Sequence, residues 1–314
     1  MKAFVTGGAG FIGSHLVDHL IKIGSVTVFD NLSSGRESFI HHHHKNNNFA
    51  LIKGDLLDKD LLIRSIENHD IVFHLAANPD ARLGNIDTSL DLHQETIVTY
   101  NVLEAMRVNN INKIVFSSSG TIYGEVPVKP IHEDFGPVLP ISLYGAGKLA
   151  SEGLISAFCN TFGLQGWIYR FANVVGDRGT HGVIFDFINK LKKNPLELEI
   201  LGDGTQEKPY LEVNDCIEGI LFGLFNSKDR VNVFNLGCDS STSVQKIARM
   251  VLEEMKLTNT KCKYTGSDRG WPGDVPQYRC DCLKINTLGW KAKYTSDEAV
   301  HLTIKALIKE LGAV

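Results

Sequence analysis

Eight consecutive residues, Thr6-Gly7-Gly8-Ala9-Gly10-Phe11-Ile12-Gly13, restrict what this chain can fold into more than any other stretch. Before them stands a short apolar, β-branched run, Ala3–Thr6, that reads as a buried strand. After them Ile12–Lys22 carries apolar residues at helical spacing. The glycines therefore sit in a tight strand-to-helix turn, and the free amides of the helix point back at whatever lies over that turn. The same rhythm repeats along the chain. Strands are expected at Val26–Phe29, Ala50–Lys53, Ile71–His74, Lys113–Ser117, Gln165–Arg170 and Val231–Leu236, and helices at Leu57–Ile66, within Asp87–Arg107 and at Tyr144–Phe162. Strand–helix alternation of this kind makes a parallel sheet covered on both faces.

The expected fold class is α/β, a Rossmann-like doubly wound parallel sheet with a smaller C-terminal lobe. After Phe171 the alternation loosens. Loops rich in glycine and proline (Gly176–Gly182, Gly202–Pro209, Asp268–Pro276) interleave with helices near Ile184–Lys192, Val213–Phe225, Ser243–Leu257 and Ser296–Leu311. Residues 1–170 with 213–238 are expected to form the dinucleotide-binding domain, and 171–212 with 239–314 the lobe. Its loops would face the carboxyl edge of the sheet, where open α/β folds bind ligands.

The turn satisfies GxGxxG from Gly8 and the wider GxxGxxG from Gly7, so Gly7, Gly10, Phe11, Ile12 and Gly13 are expected to cradle a dinucleotide pyrophosphate. Asp30 ends the second strand, where an acid accepts hydrogen bonds from the adenosine ribose and repels a 2′-phosphate. That favours NAD over NADP. Asn31, Ser34 and Gly35 continue the same loop, and Arg36 lies further along it. Asp55 and Leu56 follow the third strand and can meet the adenine, although Asp55 taken alone reads as a helix cap. Leu75, Ala76 and Ala77 follow the fourth strand and should pass beneath the nicotinamide.

Tyr144 and Lys148 are four apart on one helix, so phenol and ammonium share a face. A neighbouring cation stabilises phenolate, and Lys148 is expected to draw the Tyr144 pKa down from about 10 toward neutrality. Tyr144 would then take the proton of a sugar hydroxyl as hydride leaves for the nicotinamide.

The glycine turn, Asp30, the strand end Phe116-Ser117-Ser118-Ser119-Gly120-Thr121-Ile122-Tyr123-Gly124 and the YxxxK helix together resemble the extended short-chain dehydrogenase/reductase family, and within it the UDP-galactose 4-epimerase branch. The resemblance runs over essentially the whole chain. It implies tightly held NAD, a UDP-sugar substrate, a homodimer built on the helices around Asp87–Arg107 and Tyr144–Phe162, and inversion at carbon 4 of a UDP-hexose. Ser119 and Thr121 match the hydroxyls that hold the hexose 4-OH beside the catalytic Tyr144 and Lys148. Related dehydratases carry Asp-Glu, and decarboxylases a Glu, where this chain has Gly120 and Thr121, so elimination is disfavoured. A 4-keto reductase, a uronic acid epimerase or an unusual dehydratase remain rival readings, with an NAD-sensing regulator as the non-enzyme alternative.

For the substrate the resemblance implies Asn173 in Arg170-Phe171-Ala172-Asn173, Val183, Lys208, Arg269 and Asp274, with Arg82 as a further contact. Several positions depart from the family pattern. Ala172 stands where an aromatic is usual, and Lys208-Pro209 replaces Arg-Asp, so bidentate phosphate binding is lost. Trp271 takes the place of an arginine, which makes Arg269 the expected substitute. Tyr278 is bulky at a position that restricts N-acetyl groups. Glu95 stands where the family has asparagine.

Of the 314 residues 43% are hydrophobic and 22% charged, with a formal net charge of −4, which gives no electrostatic footprint for nucleic acid or an anionic membrane. No apolar run approaches the roughly 20 residues of a membrane helix, and glycines interrupt the N-terminus where a signal peptide would need an apolar core. A soluble, cytoplasmic protein is expected. The six cysteines fall in no zinc-binding spacing and are expected to be reduced. The His41–His44 run reads as an exposed loop with no acidic ligand beside it, so no metal site is expected.

Overall fold

A computed structural model describes residues 1–126 and 130–313. Along the chain, β1 (Lys2–Thr6), α1 (Phe11–Leu20), β2 (Ser25–Asp30), β3 (Phe49–Lys53), α2 (Lys59–Ser65) and β4 (Ile71–His74) are followed by a π-helical turn (Leu92–Ile97) that runs into α3 (Val98–Val108). Next come β5 (Lys113–Ser119), α4 (Leu143–Phe162), β6 (Gln165–Phe171), β7 (Asn173–Val175), α5 (Val183–Lys193), β8 (Glu197–Ile200), β9 (Glu207–Lys208), β10 (Tyr210–Glu212) and α6 (Val213–Asn226). The last elements are β11 (Val231–Leu236), β12 (Thr242–Ser243), α7 (Val244–Glu254), β13 (Lys261–Tyr264), α8 (Leu283–Leu288) and α9 (Ser296–Leu311).

Seven strands form one sheet in the order β11-β6-β5-β4-β1-β2-β3, and every pairing in it is parallel. The order reverses at β1, between β4 and β2, which opens a crevice above the carboxyl ends of those strands. Two cores follow from the two faces. Leu62, Val102, Met106, Ile155 and Cys159 of α2, α3 and α4 pack on one side with Phe4 and Phe116. Leu16, Val17 and Leu20 of α1 join Cys216, Ile217 and Ile220 of α6 on the other. All seven expected sheet strands and the main expected helices are present.

The lobe has a core of its own, in which Ile188 and Leu191 of α5, Ile247 and Val251 of α7, and Ile304 and Leu307 of α9 meet. The segment from Val275 to Trp290, expected in the lobe, packs instead with α6 and β11 in the first core. The boundary drawn at residue 239 therefore does not follow the packing, because the chain returns to the sheet domain before α9. Among the described residues no helix is long and apolar enough to cross a membrane. All six cysteines are free thiols, five of them buried.

Candidate active site

A cleft of about 560 Å³ runs along the carboxyl edge of the sheet, between it and the lobe. Every residue expected to hold the dinucleotide lines it, from Gly7 and Gly10–Gly13 through Asp30, Asn31, Ser34, Gly35, Asp55 and Leu56 to Leu75–Ala77. Two glycines show why the turn is built as it is. Gly7 adopts φ +71°, and a Cβ there would lie 2.6 Å from the Ala76 amide. A Cβ at Gly13 would stand 2.1 Å from the Gly7 carbonyl, so helix and turn touch backbone to backbone. Gly10 starts α1 with no side-chain cap, which leaves the helix amides free for an anion.

Asp30 is held by the Ala9 amide at 2.9 Å and the Leu32 amide at 2.8 Å. Burial pushes its carboxyl up, against those two hydrogen bonds. The Arg36 guanidinium lies over the Phe39 ring at 5.6 Å and does not reach the cleft. Asp55 accepts from Asn31 and the Leu57 amide. The residue that caps α2 is Asp58, so the cap reading of Asp55 is replaced.

The reacting end is built by β5 and α4. Ser142 caps α4 by accepting from the Gly145 amide, and the first turn then presents Tyr144 and Lys148 together. The Lys148 Nζ sits 5.6 Å from the Tyr144 ring centre and donates to the Ser117 carbonyl at 2.9 Å. Ser119 ends β5, and its Oγ accepts from the Thr121 amide and the Thr121 hydroxyl at 3.2 and 3.0 Å.

Beside Tyr144, Lys148 also meets a buried carboxylate. Its ammonium lies 2.9 Å from Glu95 Oε2, and both side chains are 1% exposed. Burial first, then the charges of Glu95 and Asp91, push the Tyr144 phenol well above its ordinary value, while a hydrogen bond with Ser119 pulls the other way. The cation that was to lower the phenol is answered by a carboxylate. Glu95 is itself raised to about 7, by burial working against the Lys148 charge.

Glu95 sits in the π-helical turn, where its carbonyl accepts from Ser151 and Thr99 and its Oε1 from the Asn78 amide. Gly147, inside the YxxxK motif, makes room for it, since a Cβ there would lie 2.8 Å from the Glu95 Cβ. Asp91 is buried beside the pair and holds the Asn78 side chain at 2.9 Å. His74 lies beneath, between the Thr6 and Thr99 hydroxyls at 2.7 and 3.0 Å. Burial and the Lys148 charge lower it to about 3. In the sequence Glu95 stands out only as a departure from the family pattern, with no role attached. Gly147, Asp91 and His74 carry no comparable mark, although a glycine between Tyr144 and Lys148 is a signal that something bulky packs there.

On the substrate side the cleft is lined by Arg82, Asn173, Val183, Lys208 and Asp274. Lys208 meets Asp274 at 2.5 Å, and Arg82 meets Asp80 at 2.7 Å. Arg269 does not line the cleft. It pairs with Glu125 at 3.0 Å and with Asp268, so its expected phosphate contact is not in place here. Arg170 turns away to Glu152 and the Tyr123 hydroxyl in a buried network. Gly120 faces the Tyr278 phenol, whose ring and oxygen would stand 2.2 Å from a Cβ at that position.

The model of the NAD dependent epimerase/dehydratase family matches residues 3–237. The chain belongs to this family. A putative UDP-glucose 4-epimerase of Methanocaldococcus jannaschii is 34% identical over 307 residues, 96% of each chain. A crystal structure of a UDP-galactose 4-epimerase superposes with a TM-score of 0.89 at 39% identity, covering 99% of this chain and all of the other. A UDP-glucuronic acid 4-epimerase from Bacillus cereus, solved with UDP-glucuronic acid and NAD, gives a TM-score of 0.89 at 29% identity, covering 99% of this chain and all of that one.

The cofactor of this family member is NAD, and the residues present fit it. The uncapped start of α1 and the two backbone contacts at Gly7 and Gly13 leave space only for a ligand that lies on the backbone. Asp30 stands at the carboxyl end of β2 with its carboxylate in the cleft. Among the described residues lining the cleft at this end no arginine faces it, as an acceptor of a ribose hydroxyl rather than a 2′-phosphate requires.

Proposed function

We propose that this epimerase/dehydratase family member inverts carbon 4 of a UDP-hexose by transient oxidation. The observation that carries this reading is the pair Gly120–Tyr278. The resemblance implies Asp-Glu after the strand-end serine for loss of water, and a Glu at the second of those positions for loss of carbon dioxide. Here the first position, Gly120, has no side chain and the Tyr278 ring fills the space one would need, and the second is Thr121, a hydroxyl in place of a carboxylate. What remains at the end of β5 is a pair of hydroxyls, Ser119 and Thr121, facing a phenol and an ammonium. Those groups can bind a sugar hydroxyl and move its proton.

NAD held by the glycine turn and Asp30 would supply a reversible hydride acceptor. The chain's own residues do the rest. Ser119 orients the 4-hydroxyl, and Tyr144 takes its proton and later gives it back. Lys148 sets how readily Tyr144 does so. When Glu95 is protonated, the ammonium is uncompensated and favours phenolate; when Glu95 ionises, the two charges cancel and the phenol stays protonated. Lys208, Asn173 and Asp274 hold the nucleotide end, so the hexose alone is free to turn over. Ala172 leaves space around it, while Tyr278 limits bulk at the opposite wall.

Incubation with UDP-glucose, UDP-galactose, their N-acetyl forms and UDP-glucuronic acid tests the proposal. An isobaric product epimeric at carbon 4 is expected with at least one neutral hexose. A product lighter by water or carbon dioxide refutes it. We also infer a homodimer through α3 and α4, whose outward side chains include Tyr100 and Phe162 at 38% and 51% exposure. Sedimentation giving a monomer would refute that part.

A further inference from the structure

We propose that Asp18, His42 and His43 form a binding site for a divalent transition metal of the zinc type, which shares its carboxylate with a wall of the catalytic cleft. The sequence reading found no acidic ligand near the histidine run, because Asp18 lies 24 residues away in α1 and only the fold brings it there. His41–His43 is a single 3-10 turn. In such a turn residues three apart lie on the same side, so the four imidazoles divide into two sets. His41 and His44 face Glu37; His42 and His43 face Asp18.

The second set is already assembled. His42 Nε2 and His43 Nε2 lie 2.8 and 2.6 Å from the same oxygen, Asp18 Oδ1. The two rings stand 3.9 Å apart, and His43 is fixed by burial against Phe49. A tetrahedral zinc ion takes nitrogen and oxygen ligands at about 2.0–2.1 Å, which sets the ligands roughly 3.3 Å from one another. The two imidazole–carboxylate distances need to open by only about 0.5–0.7 Å to reach that spacing, and all three ligand atoms already lie within 4.8 Å of one another. Two neutral imidazoles and one carboxylate suit a borderline-soft divalent ion, and the exposed side of His42 leaves the fourth position to water. To present Nε2 to the ion, each neutral imidazole carries its one proton on Nδ1. By contrast, Glu37, His41 and His44 are all exposed, and His44 stands 3.7 Å from Glu37, so no ligand atom there is held in place.

The other oxygen of Asp18 pairs with Arg178 Nη2 at 2.8 Å. Arg178 has a left-handed backbone, φ +59°, and belongs to the loop whose Gly176, Gly179, Thr180 and His181 line the cleft. An ion on Oδ1 competes for the charge that holds this loop.

The test uses the NAD-loaded full-length protein, first dialysed against a chelator and then titrated with Zn²⁺ by calorimetry. One site of micromolar affinity is expected. His42→Gln/His43→Gln should weaken it by about a hundredfold, and His41→Gln/His44→Gln by less than about threefold. Thermal unfolding without metal confirms that both double variants fold. Zn²⁺ should also change amide hydrogen exchange across residues 176–182 in the parent protein and not in the His42/His43 variant. Equal loss in both variants means an adventitious polyhistidine contact and overturns the site, as does the absence of stoichiometric binding. Unchanged exchange at saturating Zn²⁺ overturns the link to the cleft.

Discussion

Replacing Glu95 with glutamine removes one charge from the floor of the site and keeps both the shape of the side chain and an acceptor for the Asn78 amide at 3.1 Å. Glutamate ordinarily titrates near 4.5, and in this fold burial raises Glu95 to about 7. Because the folded value is the higher one, the protonated side chain is favoured by folding. Its contribution is full below 4.5 and is lost as the pH rises through about 7. The separation of the two values corresponds to roughly 3 kcal/mol, of which about 2 kcal/mol falls between about pH 5.5 and about pH 8.5. Glu95→Gln has no such dependence. Glutamine stands in for the protonated side chain at every pH, so the parent should lose about 2 kcal/mol relative to Glu95→Gln across this window. Urea unfolding of both across this window, by far-ultraviolet circular dichroism, reads the difference directly. The same substitution takes a negative charge away from the Tyr144 phenol, so its titration should move down, seen as tyrosinate absorbance that Glu95→Gln/Tyr144→Phe lacks. Parallel stability curves together with an unmoved Tyr144 would refute the coupling of Glu95, Lys148 and Tyr144.

Tyr144→Phe should lower turnover by about 10²–10⁴ while leaving the circular dichroism spectrum unchanged; near-parental turnover would mean that another base acts. Denaturing the purified protein should release NAD(H) into the supernatant, and NADP as the main species would contradict the role of Asp30. Gly120→Ala should cost about 1–3 kcal/mol through overpacking against Tyr278, and much less when introduced into Tyr278→Ala. If it costs as much in that background as in the parent, the clash is not the cause. His74 is lowered to about 3 from 6.5, so its contribution is complete above 6.5 and lost as pH falls toward 3. His74→Gln should therefore lessen acid destabilisation, by up to roughly 5 kcal/mol at the acid limit, and an identical acid limb would count against a neutral, buried imidazole.

The sheet was legible because parallel strands are buried on both faces and read as short apolar runs. Ile71–His74 and Val231–Leu236 were located to the residue. The residues expected at the dinucleotide end gather along one cleft, since they follow the strand ends in chain order. Contacts between distant segments were not. Nothing near His42 in the chain announces Asp18, and nothing near Arg269 announces Glu125, which holds it away from the cleft. The two-residue and four-residue strands of the lobe carry too few side chains for a period to show. The helix within Asp87–Arg107 begins as a π-helical turn, a feature that depends on what packs inside the turn and has no periodic signature.

The departures from the family pattern make sense in pairs rather than singly. Glu95 replaces a smaller, neutral side chain, and Gly147 across from it has no Cβ to collide with it. Tyr278 is bulky, and Gly120 opposite it is bare. Lys208 carries a point charge where a fork is usual, and Asp274 meets it directly. In the first two pairs a glycine admits a larger partner, so the volume of the site is kept and its chemistry changes. One exchange removes the position from which a carboxylate could drive elimination. The other places a carboxylate against the lysine that governs Tyr144. On the proposed mechanism both act on proton transfer at the sugar and not on the nucleotide end, so variants at 95, 120, 147 and 278 should change turnover and its pH dependence while NAD binding stays near the parental value. Calorimetric titration of NAD into the nucleotide-free variants checks this, and a tenfold loss of affinity at Gly120→Ala or Glu95→Gln would show that the two ends of the cleft are not independent.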